Sequence, residues 1–88
     1  MTAYGCGVID ALARRDFGDD ITIDWNVDMS ETDREYIFGS NGLNIRPTNY
    51  YFTGKKAVIY DQHGDILDQW FELAWFTGNV WRSFVHLN

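Results

Sequence analysis

Cys6, His63 and His86 are the only cysteine and histidine residues in a chain of 88 residues. They are the side chains best suited to act as a nucleophile or a general base. Cys6 lies near the start of a predicted helix, His63 in a predicted turn, and His86 on the outward face of a predicted strand. Their spacing does not place a nucleophile beside a base. The sequence therefore favours a protein without catalytic residues.

Carboxylates offer further kinds of chemistry, and neither of the two common ones fits the chain. Two opposed carboxylates hydrolyse glycosides, but 88 residues leave little room for a sugar-binding cleft. A calcium loop needs alternating oxygen ligands, a glycine at a fixed place and a closing glutamate, and residues 16–21 do not keep that spacing. Gly5 and Gly7 flank Cys6 without the rest of a nucleotide-binding motif. We predict no metal and no cofactor.

The most informative feature is the distribution of charge. The net charge is −6; residues 1–40 contain nine acidic and three basic side chains, whereas residues 41–88 contain four of each. On a regular strand two of the carboxylates, Asp24 and Asp28, would share one face about 13 Å apart, because each residue rises about 3.3 Å. With the neighbouring carboxylates they could line a face whose charges are several ångströms apart, a pitch comparable to that of the phosphates of duplex nucleic acid. The seven carboxylates that we expect to bind a partner are Asp19, Asp20, Asp24, Asp28, Glu31, Asp33 and Glu35. The alternative is a solvated surface that keeps the chain soluble.

Aromatic residues make up 17% of the chain and are dense near its end. Within residues 70–84 they are Trp70, Phe71, Trp75, Phe76, Trp81 and Phe84. Core packing is the first interpretation, because each buried ring removes about 150–250 Å² from water. The second is an exposed patch at a protein interface, where Trp and Tyr are enriched. Stacking on single-stranded nucleic acid is disfavoured, because no basic groove accompanies the rings.

Composition also limits the class of protein. A single cysteine excludes an internal disulfide, which favours a reducing compartment. The N-terminus lacks the regions of a signal peptide, and no apolar run approaches the roughly 20 residues of a membrane span. We expect one cytoplasmic domain over residues 1–88, in the host cytoplasm if a phage encodes it. Its acidity disfavours direct binding to nucleic acid or membranes and favours a basic protein partner.

The first half of the chain has clear local patterns. Apolar residues spaced by four predict a helix over residues 7–16, with Gly18 placed to end it. Residues 21–28 alternate between apolar and polar without exception, which predicts a strand with one buried face. Its inward residues would be Ile21, Ile23, Trp25 and Val27. Ser30 is a predicted N-cap for a helix that reaches about Phe38.

The second half of the chain has less distinct local patterns. Residues 43–48 are predicted to be irregular, and residues 50–53 and 56–60 to be strands joined by a tight hairpin at residues 54–55. A turn at residues 61–64 followed by a strand is slightly favoured over a helix across residues 65–77. A final strand would turn Trp81, Ser83, Val85 and Leu87 inward and Arg82 and His86 outward. The predicted fold is α+β, a small antiparallel sheet of four to five strands with one to three short helices packed on one face.

Two hypotheses of function follow from charge and size. In the first, the protein is a small non-enzymatic inhibitor that occupies the basic nucleic-acid-binding site of another protein. In this character it is similar to the compact acidic proteins that phages and mobile elements use against CRISPR effectors, restriction enzymes and polymerases. In the second, it is an interaction or assembly domain, of immunity or homodimeric type, whose aromatic patch is the interface.

Overall fold

A computed structural model describes residues 2–39, 49–78 and 81–86. Its elements are α1 (Cys6–Phe17), β1 (Thr22–Asp28), α2 (Glu31–Phe38), β2 (Tyr50–Tyr60), β3 (Ile66–Trp75) and β4 (Ser83–His86). The four strands form one antiparallel sheet in the order β1-β2-β3-β4. The predicted α+β class and the number of strands are confirmed.

The helix α1 forms where the apolar spacing predicts it. Ile9 and Ala13, four residues apart, are its buried residues. On the solvent side Arg14 Nε donates to Asp10 Oδ1 at 2.8 Å, as the spacing of the two residues predicts. The helix ends at Gly18, which has a φ of 86° and whose N–H donates to the carbonyl of Arg14. Glycine suits this position because its φ is positive.

The helix α2 is short and begins with a capping box. Asp33 N donates to Ser30 Oγ at 3.1 Å, and Ser30 N donates to Asp33 Oδ2 at 2.9 Å. These two bonds satisfy backbone donors that the first helical turn leaves free. The predicted N-cap and the predicted end near Phe38 are confirmed. The prediction for residues 43–48 lies outside the described residues.

The strand β2 corrects the predicted hairpin at residues 54–55, which was wrong. The chain does not reverse there, and β2 is one strand of 11 residues. Its pairing with β3 shifts between Phe52 and Lys56, so the extra residues form a bulge that includes Gly54, with a φ of 93°. The chain continues because both edges of this segment are paired: Gly54 O accepts from Met29 N, and β3 lies on the other side.

The hairpin between β2 and β3 confirms the favoured interpretation of residues 61–75. Asp61 Oδ1 accepts from the N–H groups of His63 at 2.8 Å and Asp65 at 2.9 Å, and Gly64 has a φ of 84°. These contacts turn the chain into β3 rather than into a helix. The ambiguity in the sequence has a structural cause. Trp70 and Phe71 are consecutive and both buried, which interrupts the alternation of a half-buried strand.

The sheet has an apolar cluster on each face. The first cluster is Ile9, Ala13, Ala57, Ile59, Trp70 and Phe84. The second is Met29, Ile37, Phe71, Leu73 and Val85. Consecutive strand residues such as Phe84 and Val85 point to opposite faces, so α1 and α2 cover opposite sides of the sheet. This arrangement differs from the predicted packing of the helices on one face.

The strand β4 begins at Ser83, after the predicted start at Trp81, and its two faces are both partly covered. Val85 is buried and Ser83 half-buried, as expected, but Trp81 precedes the strand and is 78% exposed. Arg82 and His86, expected on an outward face, are half-buried. The reason is that α1 covers the opposite face and Tyr4 pairs with Phe84 through two backbone hydrogen bonds of 2.8 Å. Leu87 lies outside the described residues.

Candidate interaction surface

The seven carboxylates predicted to bind a partner lie on three consecutive segments. Asp19 and Asp20 connect α1 to β1, Asp24 and Asp28 belong to β1, and Glu31, Asp33 and Glu35 belong to α2. All of them except Asp33 are exposed. The structure therefore brings six of the seven to the surface.

A bulge in β1 changes how these carboxylates are arranged. Asp24 lies opposite Val58 and Val27 lies opposite Lys56, so two residues of β1 face the single Ala57. A bulge of this kind reverses the alternation of side chains along the strand. Asp24 and Asp28 therefore project from opposite faces of β1, in contrast to the expected row on one face.

The position of β1 gives its carboxylates a structural role as well. This strand is at the edge of the sheet, where unpaired backbone groups could pair with a strand of another chain. Charged side chains and bulges are two common ways in which proteins prevent such pairing. Asp24 adds a local contact, because its Oδ1 accepts from Asn26 N at 3.0 Å.

Most of the exposed carboxylates among the seven form no ion pair with another described residue. Lys55 Nζ binds Asp28 Oδ1, and this hydrogen bond lowers the pKa of the exposed Asp28 carboxyl. Within the described residues no ion pair is made by Asp19, Asp20, Asp24, Glu31 or Glu35. We call these five residues the acidic surface. A cation contacts it at the backbone, where Arg14 Nη1 donates to the carbonyl of Asp19 at 3.1 Å.

Asp33 belongs to the fold and not to this surface. Its side chain is 17% exposed, and Oδ2 accepts from Lys56 Nζ at 2.6 Å. Burial by itself would raise the pKa of Asp33, but the hydrogen bonds from Lys56 and Ser30 outweigh it and lower the pKa. Lys56 is itself buried and also donates to Gln69 Oε1 at 2.7 Å. Asp33 thus anchors α2 to the sheet.

A second candidate surface is a group of paired aromatic rings, which we call the aromatic tip: Phe38, Tyr50, Tyr51, Phe52, Trp75 and Phe76. Tyr50 stacks on Trp75 with ring centres 4.7 Å apart, and Tyr51 contacts Phe76 at 5.4 Å. Phe76 is 63% exposed and Phe38 60%. Of the rings singled out in the sequence, Trp70, Phe71 and Phe84 are buried, whereas Trp75 and Phe76 lie at this tip.

The side chains considered for catalysis do not assemble into a site. His86 is not the exposed residue that the sequence suggested: its Nε2 lies 2.6 Å from Asp68 Oδ1 and its ring stacks on Trp70 at 4.3 Å. Cys6 is half-buried against the first apolar cluster. The antiparallel pairing of Tyr4 with Phe84 leads the chain away from His86 as it approaches Cys6. His63 is exposed in the β2–β3 turn.

Metal binding and membrane insertion are two further possibilities for residues 2–39, 49–78 and 81–86. These residues contain no group of three or more His, Cys, Asp or Glu side chains placed to hold a metal ion. Neither helix among them has the length and apolar character that crossing a membrane requires.

Comparison with known proteins gives no relative from which a function could be transferred. No family model, no curated protein and no solved structure matches the chain. The candidate surfaces therefore stand on their own geometry and charge.

Proposed function

We propose that this protein is a non-enzymatic acidic inhibitor that binds the basic, nucleic-acid-binding site of another protein. The observation that supports the proposal is the acidic surface, whose five exposed carboxylates have no ion pair among the described residues. A phage or mobile-element protein directed against host defence, such as an anti-CRISPR or antirestriction DNA mimic, is the biological setting that fits this chemistry.

The physical basis is electrostatic complementarity. Exposed carboxylates attract a basic site over a distance of about 8 Å at physiological salt, and this attraction accelerates association. They also repel nucleic acid, so the protein would compete for the site without binding the nucleic acid itself. The net charge of −6 gives the whole molecule the same preference.

The proposal is tested by capture from lysate followed by two competitors. Proteins retained at low salt should be released by higher salt and also by a duplex oligonucleotide, because salt screens the charge and the oligonucleotide takes the same basic site. The captured set should be rich in nucleic-acid-binding proteins. Retention that neither competitor weakens would contradict the proposal.

A second function is favoured by the aromatic tip. Phe38 and Phe76 are each at least 60% exposed, and aromatic rings are common anchors of protein interfaces. In this alternative the protein is an assembly domain of immunity or homodimeric type. Its contacts would persist at high salt, because burial of apolar surface is not screened. Molar mass measured by light scattering at low and high salt distinguishes the two.

A further inference from the structure

A groove of about 520 Å³ lies between α2 and the first half of β3. Tyr36 of α2 and Ile66, Leu67 and Phe71 of β3 provide its apolar lining. Phe71 is buried at 5% exposure, whereas Ile66 is 56% exposed, Tyr36 46% and Leu67 36%. Three large apolar side chains are thus open to solvent around one hollow.

Among the described residues around this groove, acidic side chains outnumber basic ones. None of the described lining residues is a lysine or arginine, although the ammonium of Lys56 contacts Asp33 and Gln69 below the groove. Two lining carboxylates already have partners, because Asp33 binds Lys56 and Asp68 binds His86. Glu35 and Asp65 immediately precede the lining residues Tyr36 and Ile66; both are exposed, and in the described part of the chain neither has an ion pair.

The basic residue of α2 lies away from the groove. Arg34, the one basic residue of this helix, has its guanidinium beside Gly54 of β2 and not at the groove. The groove therefore combines exposed apolar walls with an acidic rim. A neutral apolar ligand would use the walls but not the rim, and a purely polycationic ligand would use the rim but not the walls.

We propose that the groove receives an apolar side chain carried on a basic segment of the partner protein. This inference rests on the proposed function, since it takes the partner to be basic, and it adds where that partner is anchored. The acidic rim attracts the lysine or arginine residues that flank the anchor, and Tyr36, Ile66 and Leu67 enclose the anchor itself.

The test uses two synthetic peptides of equal net charge as probes. One is an amphipathic peptide of lysine and leucine, and the other is oligolysine. Each is titrated into the ¹⁵N-labelled protein. The amphipathic peptide should shift the amide signals of Tyr36, Ile66 and Leu67 and bind roughly tenfold or more tightly than oligolysine, because only its leucines leave water.

Substitutions in the groove test whether the leucines of the peptide bind there. Ile66→Ser with Leu67→Ser should weaken the amphipathic peptide about tenfold or more and leave the affinity for oligolysine unchanged. Tyr36→Ser is a second variant from the other wall, in case the strand variant fails to fold. Val8→Ser is the matched control, since Val8 is 48% exposed on α1, across the sheet. It should change neither affinity.

The outcomes separate this inference from the proposed function. Equal binding of both peptides, with signal changes only at Asp19, Asp20, Asp24 and Glu31, would overturn the groove and keep the acidic surface. Signal changes at Tyr51 and Phe76 would overturn the groove in favour of the aromatic tip. Failure of both peptides to bind would overturn the groove and the proposed function together.

Discussion

The acidic surface and the aromatic tip occupy different ends of the same sheet. Asp19 and Asp20 precede β1, whose first residue pairs with the last residue of β2, Tyr60. The tip is built from the first residues of β2 and the last residues of β3. The two regions meet only on α2, where Glu35 and Phe38 lie within one turn.

The two regions would recognise a partner through different forces. Exposed carboxylates act at a distance and are screened by salt, so they favour fast association with a basic surface. Exposed rings act only on contact and depend little on salt. The groove between α2 and β3 combines both, because its apolar walls lie beside Glu35 and Asp65.

The largest expected loss of stability comes from truncating an aromatic ring of the core, whereas truncating a ring of the aromatic tip should cost little. Phe84→Ala should lower the free energy of unfolding by about 3–5 kcal/mol, because Phe84 is fully buried and contacts Trp25. Phe76→Ala, at a ring 63% exposed, should lower it by less than about 1 kcal/mol. Urea denaturation measures both. Equal losses of stability in the two variants would show that Phe76 packs as a core residue and that the aromatic tip is not a free surface.

The next prediction tests whether Asp33 belongs to the fold and Glu35 to the acidic surface, although both lie on α2. Asp33→Ala should lower the free energy of unfolding by about 2–4 kcal/mol, because it removes the carboxylate that accepts from Ser30 N in the capping box and leaves the buried Lys56 without its partner. Glu35→Ala is the matched control on the same helix and should stay within about 0.5 kcal/mol. For binding of oligolysine the order should reverse, with Glu35→Ala the more damaging. Similar stability losses in both variants would show that Asp33 is not an anchor.

The arrangement of Asp33 could not be read from the sequence, although α2 itself could. Ser30 and its capping box are local signals, and the strict alternation of β1 is another. The bond between Asp33 and Lys56 joins residues 23 positions apart, and no local pattern indicates it. The available signal was Lys56 itself: it directly precedes the apolar run 57–59, so a buried lysine there would need an acidic partner.

The errors in β2 and β4 have the same origin. Gly54 and Lys55 have the composition of a tight turn, but the bond from Met29 N to Gly54 O and the pairing of β2 with β3 keep the chain extended. Alternation near the end of the chain predicted an inward Trp81, but the sheet there is covered on both faces and Trp81 precedes the strand. Local sequence patterns predict where helices and strands lie. The positions of bulges and the burial of each strand face depend on pairing between segments that are distant in the sequence.

A smaller effect tests whether β1 presents one charged row or two. Asp24→Lys and Asp28→Lys should each leave the fold intact, because both side chains are exposed. Made together, they should weaken the binding of oligolysine at least tenfold by replacing attraction with repulsion. Because the bulge separates the two faces, a compact basic partner should respond to one reversal more than to the other. Fluorescence anisotropy measures both affinities, and equal responses would favour the regular strand.

The pH dependence of stability sharpens the distinction between Asp33 and the acidic surface. The pKa of Asp33 is lowered in the folded state, so the unfolded chain binds a proton more readily. The stabilisation from Asp33 is therefore present above about pH 4 and is lost as the pH falls through the folded value. Urea midpoints from pH 7 to pH 2 should fall less steeply in Asp33→Asn than in the wild type. Parallel curves would contradict this role.

The smallest expected effect concerns Trp81. The alternation of Trp81 with Ser83 and Val85 predicts a buried ring, and truncation of a buried ring would lower the free energy of unfolding by about 3–5 kcal/mol. At 78% exposure, Trp81→Ala removes little buried surface and should lower stability by less than about 1 kcal/mol. Thermal unfolding of the two proteins measures the difference. A loss of several kcal/mol would place Trp81 with the core rings such as Phe84, whereas an unchanged fold with altered self-association would add it to the exposed aromatic surface.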